Sequence, residues 1–200
     1  PHDVWDKYLD IYGMDGVFPV AKTEIGNLAA IASEEILYPE IARCLTMRGA
    51  EVFLHSTGEM GNMSETPKQI ARKARALENM AYVISANSGS IRGHELPKSS
   101  TDGRSAVINY KGQIMTEAGY GETMTANDCI DLHALRKYRR RPGMSNYLAR
   151  QRFEMFAETY SSEGSQKANA LLDENGNHKI PDRAHFISAQ TETIAKLAKK

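Results

Sequence analysis

Cysteine is scarce in this chain of 200 residues, which contains only Cys44 and Cys129. Two cysteines are too few for a disulfide framework, and neither belongs to a CxxC pair or stands near a group of histidines. The six histidines are widely spaced and form no HxxxH-type pair. We therefore expect no metal site, no cofactor, and two cysteines that behave as small buried apolar residues.

A net charge of either sign is also missing, because 25 lysines and arginines balance 25 aspartates and glutamates. This balance does not favour a nucleic-acid partner, and we interpret the basic segment 136–141 as a solvated helix end or a subunit contact. No apolar run approaches the roughly 18 residues of a membrane helix, and residues 1–6 lack the basic and apolar regions of a signal peptide. The sequence predicts a cytoplasmic protein that binds neither nucleic acid nor membrane.

What the sequence does contain is an alternation of strand and helix patterns. Three short apolar segments are typical of buried strands: 24–32, 51–56 and 81–86. Two segments between them carry apolar residues at helical spacing: 40–48 and 67–79. Short links between these elements require parallel crossovers, and the right-handed crossover rule predicts that both helices cover the same face of the sheet.

Beyond residue 89 the pattern changes to that of antiparallel strands. We predict a hairpin over 105–115, a further strand over 122–130 and a basic helix over 132–140. The remaining residues are polar and lack strong periodicity. The chain is therefore predicted to form one α/β domain over 1–142, followed by a C-terminal helical or extended arm over 143–200.

The arm contains apolar residues that need cover, such as Leu148, Phe153 and Phe156. Exposed apolar positions of this kind favour association with another subunit. We therefore expect a homodimer or a larger homo-oligomer, formed through the arm and the outward faces of the predicted helices.

Ser33 is the residue that the strand and helix pattern places best for chemistry. It follows the strand 24–32, at the edge of the sheet where open α/β folds bind ligands, and the N–H groups after such a turn can face an oxyanion. From spacing alone, the simpler interpretation is favoured: Ser33 only ends the strand, since it lacks the flanking glycines of a GxSxG elbow and no histidine is an obvious base.

A family resemblance changes this balance. Ser33 is followed by Tyr38-Pro39-Glu40 and by Arg43, and further blocks follow in a recognisable order. The blocks are residues 25–43, 48–52, 74–87 and 103–112. Together they resemble the nitrilase, or carbon-nitrogen hydrolase, superfamily, and the Tyr-Pro-Glu-Ile-Ala-Arg form looks closest to the aliphatic amidase and formamidase branch.

The resemblance implies part of an α-β-β-α sandwich that hydrolyses non-peptide C–N bonds of small amides or nitriles through an acyl-enzyme, without a cofactor. Ser33 matches the position of the family's nucleophilic cysteine, and the backbone N–H of Glu34 matches the oxyanion donor. The residues expected to line the substrate pocket are Glu35, Tyr38, Ser56 and Glu59.

Two departures from the family pattern bear on activity. A serine hydroxyl is a far weaker nucleophile than a thiolate, so Ser33 should cripple acyl transfer. The family's catalytic glutamate and lysine precede its nucleophile, and only 32 residues precede Ser33 here, so we expect the chain to match the family's C-terminal part. Three hypotheses stay open: an inactive hydrolase, a non-catalytic homologue that binds a small amide-like ligand or a protein partner, and a structural subunit with a closed crevice.

Overall fold

The computed structural model describes residues 1–61, 64–97, 100–162 and 166–199. The chain forms two compact units, one of residues 18–151 and one that combines residues 1–17 with 152–200. The predicted boundary at residue 142 stays a prediction. Among the helices of the described residues, none is long and apolar enough to cross a membrane.

The unit of residues 18–151 is built on a six-stranded sheet whose strands follow one another in chain order. The strands are β1 (Ala21–Thr23), β2 (Gly26–Ala32), β3 (Val52–Thr57), β4 (Tyr82–Asn87), β5 (Ala106–Ile108) and β6 (Ile114–Glu117). β2, β3 and β4 are parallel, whereas the three other pairings are antiparallel. The predicted parallel strands and the predicted hairpin are confirmed.

The strand predicted over 122–130 is wrong, because these residues form no strand in the structure. Met124 and Ile130 are the only large aliphatic side chains in this polar stretch, and most of its residues are exposed. A strand there would have had too little apolar surface to bury on either face of the sheet.

The helices agree well with the sequence pattern where it was strong. They are α1 (Trp5–Val17), α2 (Pro39–Met47), α3 (Pro67–Asn79), α4 (Leu132–Arg140), α5 (Glu154–Ser162) and α6 (Arg183–Leu197), with a 3₁₀ helix over Ser33–Leu37. The N-cap of α3 is Thr66, whose hydroxyl accepts a hydrogen bond from the N–H of Gln69. Pro39 and Pro67 occupy the first positions of α2 and α3, where proline is tolerated, and help to fix where these helices start.

One face of the sheet is closed by α2 and α3. Ile31, Phe53 and Val83 point to this face from neighbouring strands and are fully buried. Ala42 and Leu45 of α2 and alanines of α3 pack against them in the same core. Because both helices contribute to this one core, the prediction that they share a face is confirmed. We call it the helix-covered face.

Among the described residues, the buried cluster on the opposite face lies at one end, where Leu135 of α4 packs against Val52 and Tyr82. Along β3 the next residue that points to this side is Leu54, which is 40% exposed. We call this side of the sheet the open face, because its apolar residues are only partly covered beyond α4.

Most of the basic segment 136–141 is exposed, as predicted for a solvated helix end, but Arg139 departs from that prediction. Arg139 donates hydrogen bonds to the backbone oxygens of Asn79, Met80 and Ala50, and burial lowers its pKa to about 10. Arg136, one turn earlier on α4, forms a bidentate ion pair with Glu51, a buried residue directly before β3. The two N–O distances are 2.6 and 2.8 Å. The backbone oxygens that Arg139 contacts precede β3 and β4 and need hydrogen-bond donors. This need explains why the guanidinium group of Arg139 points inward.

The unit of residues 1–17 and 152–200 contains α1, α5 and α6, none of which has a buried residue. Asn169 joins its two segments through hydrogen bonds with both the backbone N–H and the carboxylate of Asp6. Phe153 and Phe156 are about two-fifths exposed. The expectation that both cysteines are buried was wrong, because Cys129 is exposed and Cys44 is only partly buried.

Candidate functional site

Ser33 lies at the carboxyl end of β2, where the chain enters the 3₁₀ helix with a backbone φ of 45°. Non-glycine residues rarely adopt this left-handed conformation, and it costs of order 1–3 kcal/mol where it occurs. The carboxylate of Glu35 accepts a hydrogen bond from the N–H of Ala32 at 2.7 Å, and this contact across the turn stabilises it. The strained residue is therefore the one that the sequence singled out.

His55 of β3 supports this turn from the neighbouring strand. Its Nε2 lies 3.0 Å from the backbone oxygen of Ser33, and its Nδ1 lies 2.9 Å from the hydroxyl of Ser85 on β4. A carbonyl oxygen can only accept, so the hydrogen is on Nε2, and Nδ1 accepts from the Ser85 hydroxyl. Burial, above all, lowers the pKa of His55, which favours this neutral form.

Lys68 reaches the same turn from the first turn of α3. Its Nζ donates to the hydroxyl oxygen of Ser33 at 3.1 Å and to that of Thr57 at 3.3 Å. Side chains from the 3₁₀ turn after β2, from β3, from β4 and from α3 thus meet at one end of the parallel strands. The ammonium group of Lys68, the neutral imidazole of His55 and three hydroxyls are brought together within this small region. We call it the Ser33 cluster, and its members are Ser33, His55, Thr57, Lys68 and Ser85.

Buried polar contacts hold the start of α3 in place. Gln69, next to Lys68, donates to the carboxylate of Asp102 and accepts from Arg104 at 2.8 Å. Asp102 is only 1% exposed, and burial raises the pKa of its carboxyl group although Gln69 and Arg104 act in the opposite direction. These contacts fix the helix start that carries Lys68.

Arg75, two turns further along α3, connects the helix to the 3₁₀ turn. Its Nε donates to the backbone oxygen of Ile36 at 2.9 Å, and its Nη2 donates to that of Leu37 at 3.2 Å. The side chain is mostly buried, so these oxygens have little access to water. The turn that begins with Ser33 is thereby joined to the helix that carries Lys68.

The structure brings together some of the sequence-predicted residues and not others. Glu34 is exposed, and its N–H lies in the first helical turn, where N–H groups have no partner within the helix. Tyr38 is 57% exposed, and Glu35 serves the turn itself. Glu59 is half-buried and pairs through its backbone with Asn87.

Ser56 is not brought to this cluster. It follows His55 on β3 and is exposed, and successive side chains of a strand point to opposite faces of a sheet. Ser56 therefore belongs to the open face, whereas His55 and Ser85 belong to the helix-covered face. The substrate contacts assigned to Glu35, Tyr38, Ser56 and Glu59 stay predictions.

Comparison with known proteins adds a decisive observation to this geometry. The family profile for carbon-nitrogen hydrolase matches residues 3–140, which include every strand of the sheet and the whole Ser33 cluster. The chain belongs to the carbon-nitrogen hydrolase family. The resemblance inferred from the sequence blocks is thus confirmed.

Individual relatives within the family are distant. A deaminated glutathione amidase of Synechocystis sp. is 27% identical over 113 residues, which are 56% of this chain and 38% of that protein. A probable nitrilase of Schizosaccharomyces pombe is 28% identical over 123 residues, 60% of this chain and 43% of that protein. This chain therefore spans less than half the length of each relative.

Solved structures of the family share the fold. An amidase from Nesterenkonia sp. AN1 matches with a TM-score of 0.55 and 26% identity, over 70% of this chain and 48% of its own. Another structure of that amidase, in a variant form, carries acrylamide added to its active-site cysteine. The nitrilase-like α/β fold of this chain is thus confirmed.

Sequence reasoning missed four members of the Ser33 cluster: His55, Thr57, Lys68 and Ser85. Two of them had a usable signal, because the parallel register places His55 opposite Ser85 at the same end of β3 and β4. Lys68 had none, because its distance from Ser33 depends on how α3 lies across the sheet. Within the described residues, no three His, Cys, Asp or Glu side chains gather into a group that could hold a metal ion.

Proposed function

We propose that this chain supplies the nucleophile-bearing part of a carbon-nitrogen hydrolase for small amides or nitriles, and that with Ser33 at the nucleophile position it is inactive. The observation that carries the proposal is the strained turn at Ser33, whose side chain projects from the carboxyl end of a parallel strand toward Lys68. Family membership, and relatives described as amidases and nitrilases, supply the substrate class.

In a competent member the family resemblance implies a cysteine thiolate that attacks the carbonyl carbon of the amide. A glutamate takes and returns the proton, and the oxyanion is stabilised by a lysine and by the N–H that corresponds to Glu34. Ammonia leaves with a proton from the glutamate, and water then hydrolyses the thioester to release the acid. Glu34 therefore contributes through its backbone.

The Ser33 cluster supports the proposed inactivity. A serine becomes a nucleophile when a base removes its proton, but Lys68 donates a hydrogen to the Ser33 oxygen. His55 directs its Nε2 to the backbone oxygen of Ser33, and its Nδ1 is engaged by Ser85. Neither neighbour is therefore arranged to accept the hydroxyl proton.

The test measures ammonia release from short aliphatic amides and nitriles, with intact-mass detection of any acyl group on residue 33. We expect no turnover from the chain as it stands or from its Ser33→Cys variant. In a longer form that supplies a glutamate and a lysine upstream, Ser33→Cys should release ammonia and become acylated, whereas the matched Ser33→Ala variant should do neither.

Two results would count against this proposal. Ammonia release by the Ser33 form would overturn its inactivity. An inert Ser33→Cys variant of the longer form, with glutamate and lysine present, would overturn the hydrolase assignment. It would favour the second candidate, a non-catalytic homologue that binds a small amide-like ligand or a protein partner. The hydrogen bond from Lys68 to the Ser33 hydroxyl also supports this candidate. Calorimetric titration with acetamide and propionamide would then detect the small-ligand form of that candidate.

Cytoplasmic location and self-association also belong to this proposal. The partly exposed rings of Phe153 and Phe156 support a homodimer or a larger homo-oligomer. Light scattering at micromolar concentration should give at least twice the mass of one chain. A monomeric mass would contradict the predicted assembly.

A further inference from the structure

We propose that Lys68 is a positioning residue for the side chain at position 33, which it holds at the carboxyl end of the parallel strands and whose anionic form it favours. The inference rests on the proposed function, in which position 33 is the nucleophile position. It assigns a role to a residue that the family resemblance does not provide, because the resemblance places the family's lysine before the nucleophile, whereas Lys68 follows it by 35 positions.

The ammonium group of Lys68 contacts two neutral hydroxyls, and that of Ser33 is the nearer one. The Nζ of Lys68 lies 3.1 Å from the Ser33 oxygen, and the second acceptor, Thr57, is also a neutral hydroxyl. Neither acceptor neutralises the ammonium charge. An ammonium group at this distance stabilises a negative charge on the atom it contacts, as lysines beside reactive cysteines do.

The anchoring of α3 gives this contact its precision. Lys68 is half-buried and stands between Pro67, the first residue of the helix, and Gln69, whose side chain is fixed by Asp102 and Arg104. A lysine on a free surface helix would sample many rotamers. Here the backbone of the first turn is held, so only the outer part of the lysine side chain can move.

Other titratable groups lie near position 33, and the experiment must keep them constant. His55 contacts the turn from β3, Arg72 of α3 acts electrostatically on His55, and Glu35 belongs to the turn itself. His55 and Arg72 are unchanged in the variants below, as is Glu35. A difference between variants therefore reports on Lys68.

The test introduces a thiol by Ser33→Cys in the full chain and measures its rate of alkylation by iodoacetamide between pH 5 and pH 10. Peptide mass spectrometry separates residue 33 from Cys44 and Cys129. The midpoint for residue 33 should lie at least about one pH unit below the value of about 8.5 for an ordinary thiol. A midpoint at or above that value overturns the proposal, and this arm requires no change at Lys68.

Double variants identify the cation. Adding Lys68→Met to Ser33→Cys should raise the midpoint by about one pH unit, and Lys68→Arg should leave most of the lowering in place. The matched control is Lys73→Met, since Lys73 is on the same helix and pairs with Glu65 instead. Equal midpoints with and without Lys68, in variants whose thermal unfolding is unchanged, would overturn the proposal.

Because alkylation measures ionisation and not turnover, the two proposals fail separately. A lowered midpoint without ammonia release in the longer form would leave Lys68 in its role and remove the hydrolase assignment. Ammonia release together with a midpoint unaffected by Lys68→Met would do the reverse.

Discussion

On the helix-covered face of the sheet, Ile31, Phe53 and Val83 are completely buried, whereas Leu54, one residue after Phe53, is 40% exposed on the open face. The same strands supply both sets of side chains, because successive residues alternate between faces. The difference therefore comes from what covers each face. α2 and α3 span one side, and α4 covers only one end of the other.

The comparison also explains where the polar cluster lies. His55 and Ser85 follow Phe53 and Val83 on the same face, so their hydrogen bonds form where water is largely excluded. Ser56, on the open face, is exposed to water. Electrostatic interactions between neighbouring polar groups are stronger where water is excluded. This favours the helix-covered face as the place for chemistry.

The largest effect is expected from Phe53→Ala, which leaves a cavity beneath α2 and α3. Truncation of a buried phenylalanine destabilises a protein by about 3–5 kcal/mol. The matched variant Leu54→Ala should lower the free energy of unfolding by less than about 1 kcal/mol, because Leu54 is already partly hydrated. Urea denaturation measures both variants, and equal losses would contradict the difference between the two faces.

The covered end of the open face depends on α4, and Arg139→Met tests this contact. The change leaves backbone oxygens of Ala50, Asn79 and Met80 without their donor, at an expected cost of about 2–4 kcal/mol. Arg140→Met, an exposed neighbour on the same helix, should stay within about 0.5 kcal/mol of the original. An Arg139→Met variant with an unchanged free energy of unfolding would show that this contact of α4 does not stabilise the covered end of the open face.

A smaller effect is expected at the start of α3. Thr66→Ala removes the hydroxyl that accepts the N–H of Gln69 and should cost about 1 kcal/mol. Thr66→Ser keeps an acceptor and should retain most of the stability. The same pair sharpens the role of Lys68, because Thr66→Ala in the Ser33→Cys chain should also weaken the lowering of the alkylation midpoint.

The smallest effect concerns pH. Because burial lowers the pKa of His55 in the folded state, the unfolded chain binds a proton more readily as the pH falls below about 6.5. The contribution of His55 to stability is thus present at higher pH and is lost as the pH falls from there toward the folded-state pKa. His55→Gln should flatten this part of the profile of unfolding free energy against pH.

The control for the pH profile is His133→Gln on α4, where the ring is exposed. This variant should keep the pH dependence of the original chain. A profile that is unchanged by His55→Gln would show that the buried imidazole does not couple protonation to folding.

The sequence predicted those features that depend on local pattern. The ends of α4 were predicted correctly, and in the structure the carboxylate of Asp131 accepts the N–H of Ala134 at the helix start. β1 was missed because Ala21–Thr23 is short and exposed, without an apolar alternation to mark it. Residues 122–130 do not form the predicted strand because most of them are polar and exposed.

For the candidate site, sequence reasoning located the turn at Ser33 but not its partners. The family blocks and the end of an apolar strand both pointed to this residue. Lys68 could not be found in this way, because 35 residues separate it from Ser33 and only the packing of α3 brings them together. The same holds for Arg139, whose buried contacts lie about 60 and 90 residues away in the chain.

The side chain of Arg75 has a mechanical consequence for the distance between Ser33 and Lys68. One guanidinium holds two successive carbonyl oxygens of the 3₁₀ turn, so α3 cannot slide or rotate about its axis without pulling the turn along. A shift of α3 by one residue, about 1.5 Å, would break both hydrogen bonds. The turn and the helix therefore move as one rigid body. A displacement of α3 moves Ser33 and Lys68 together.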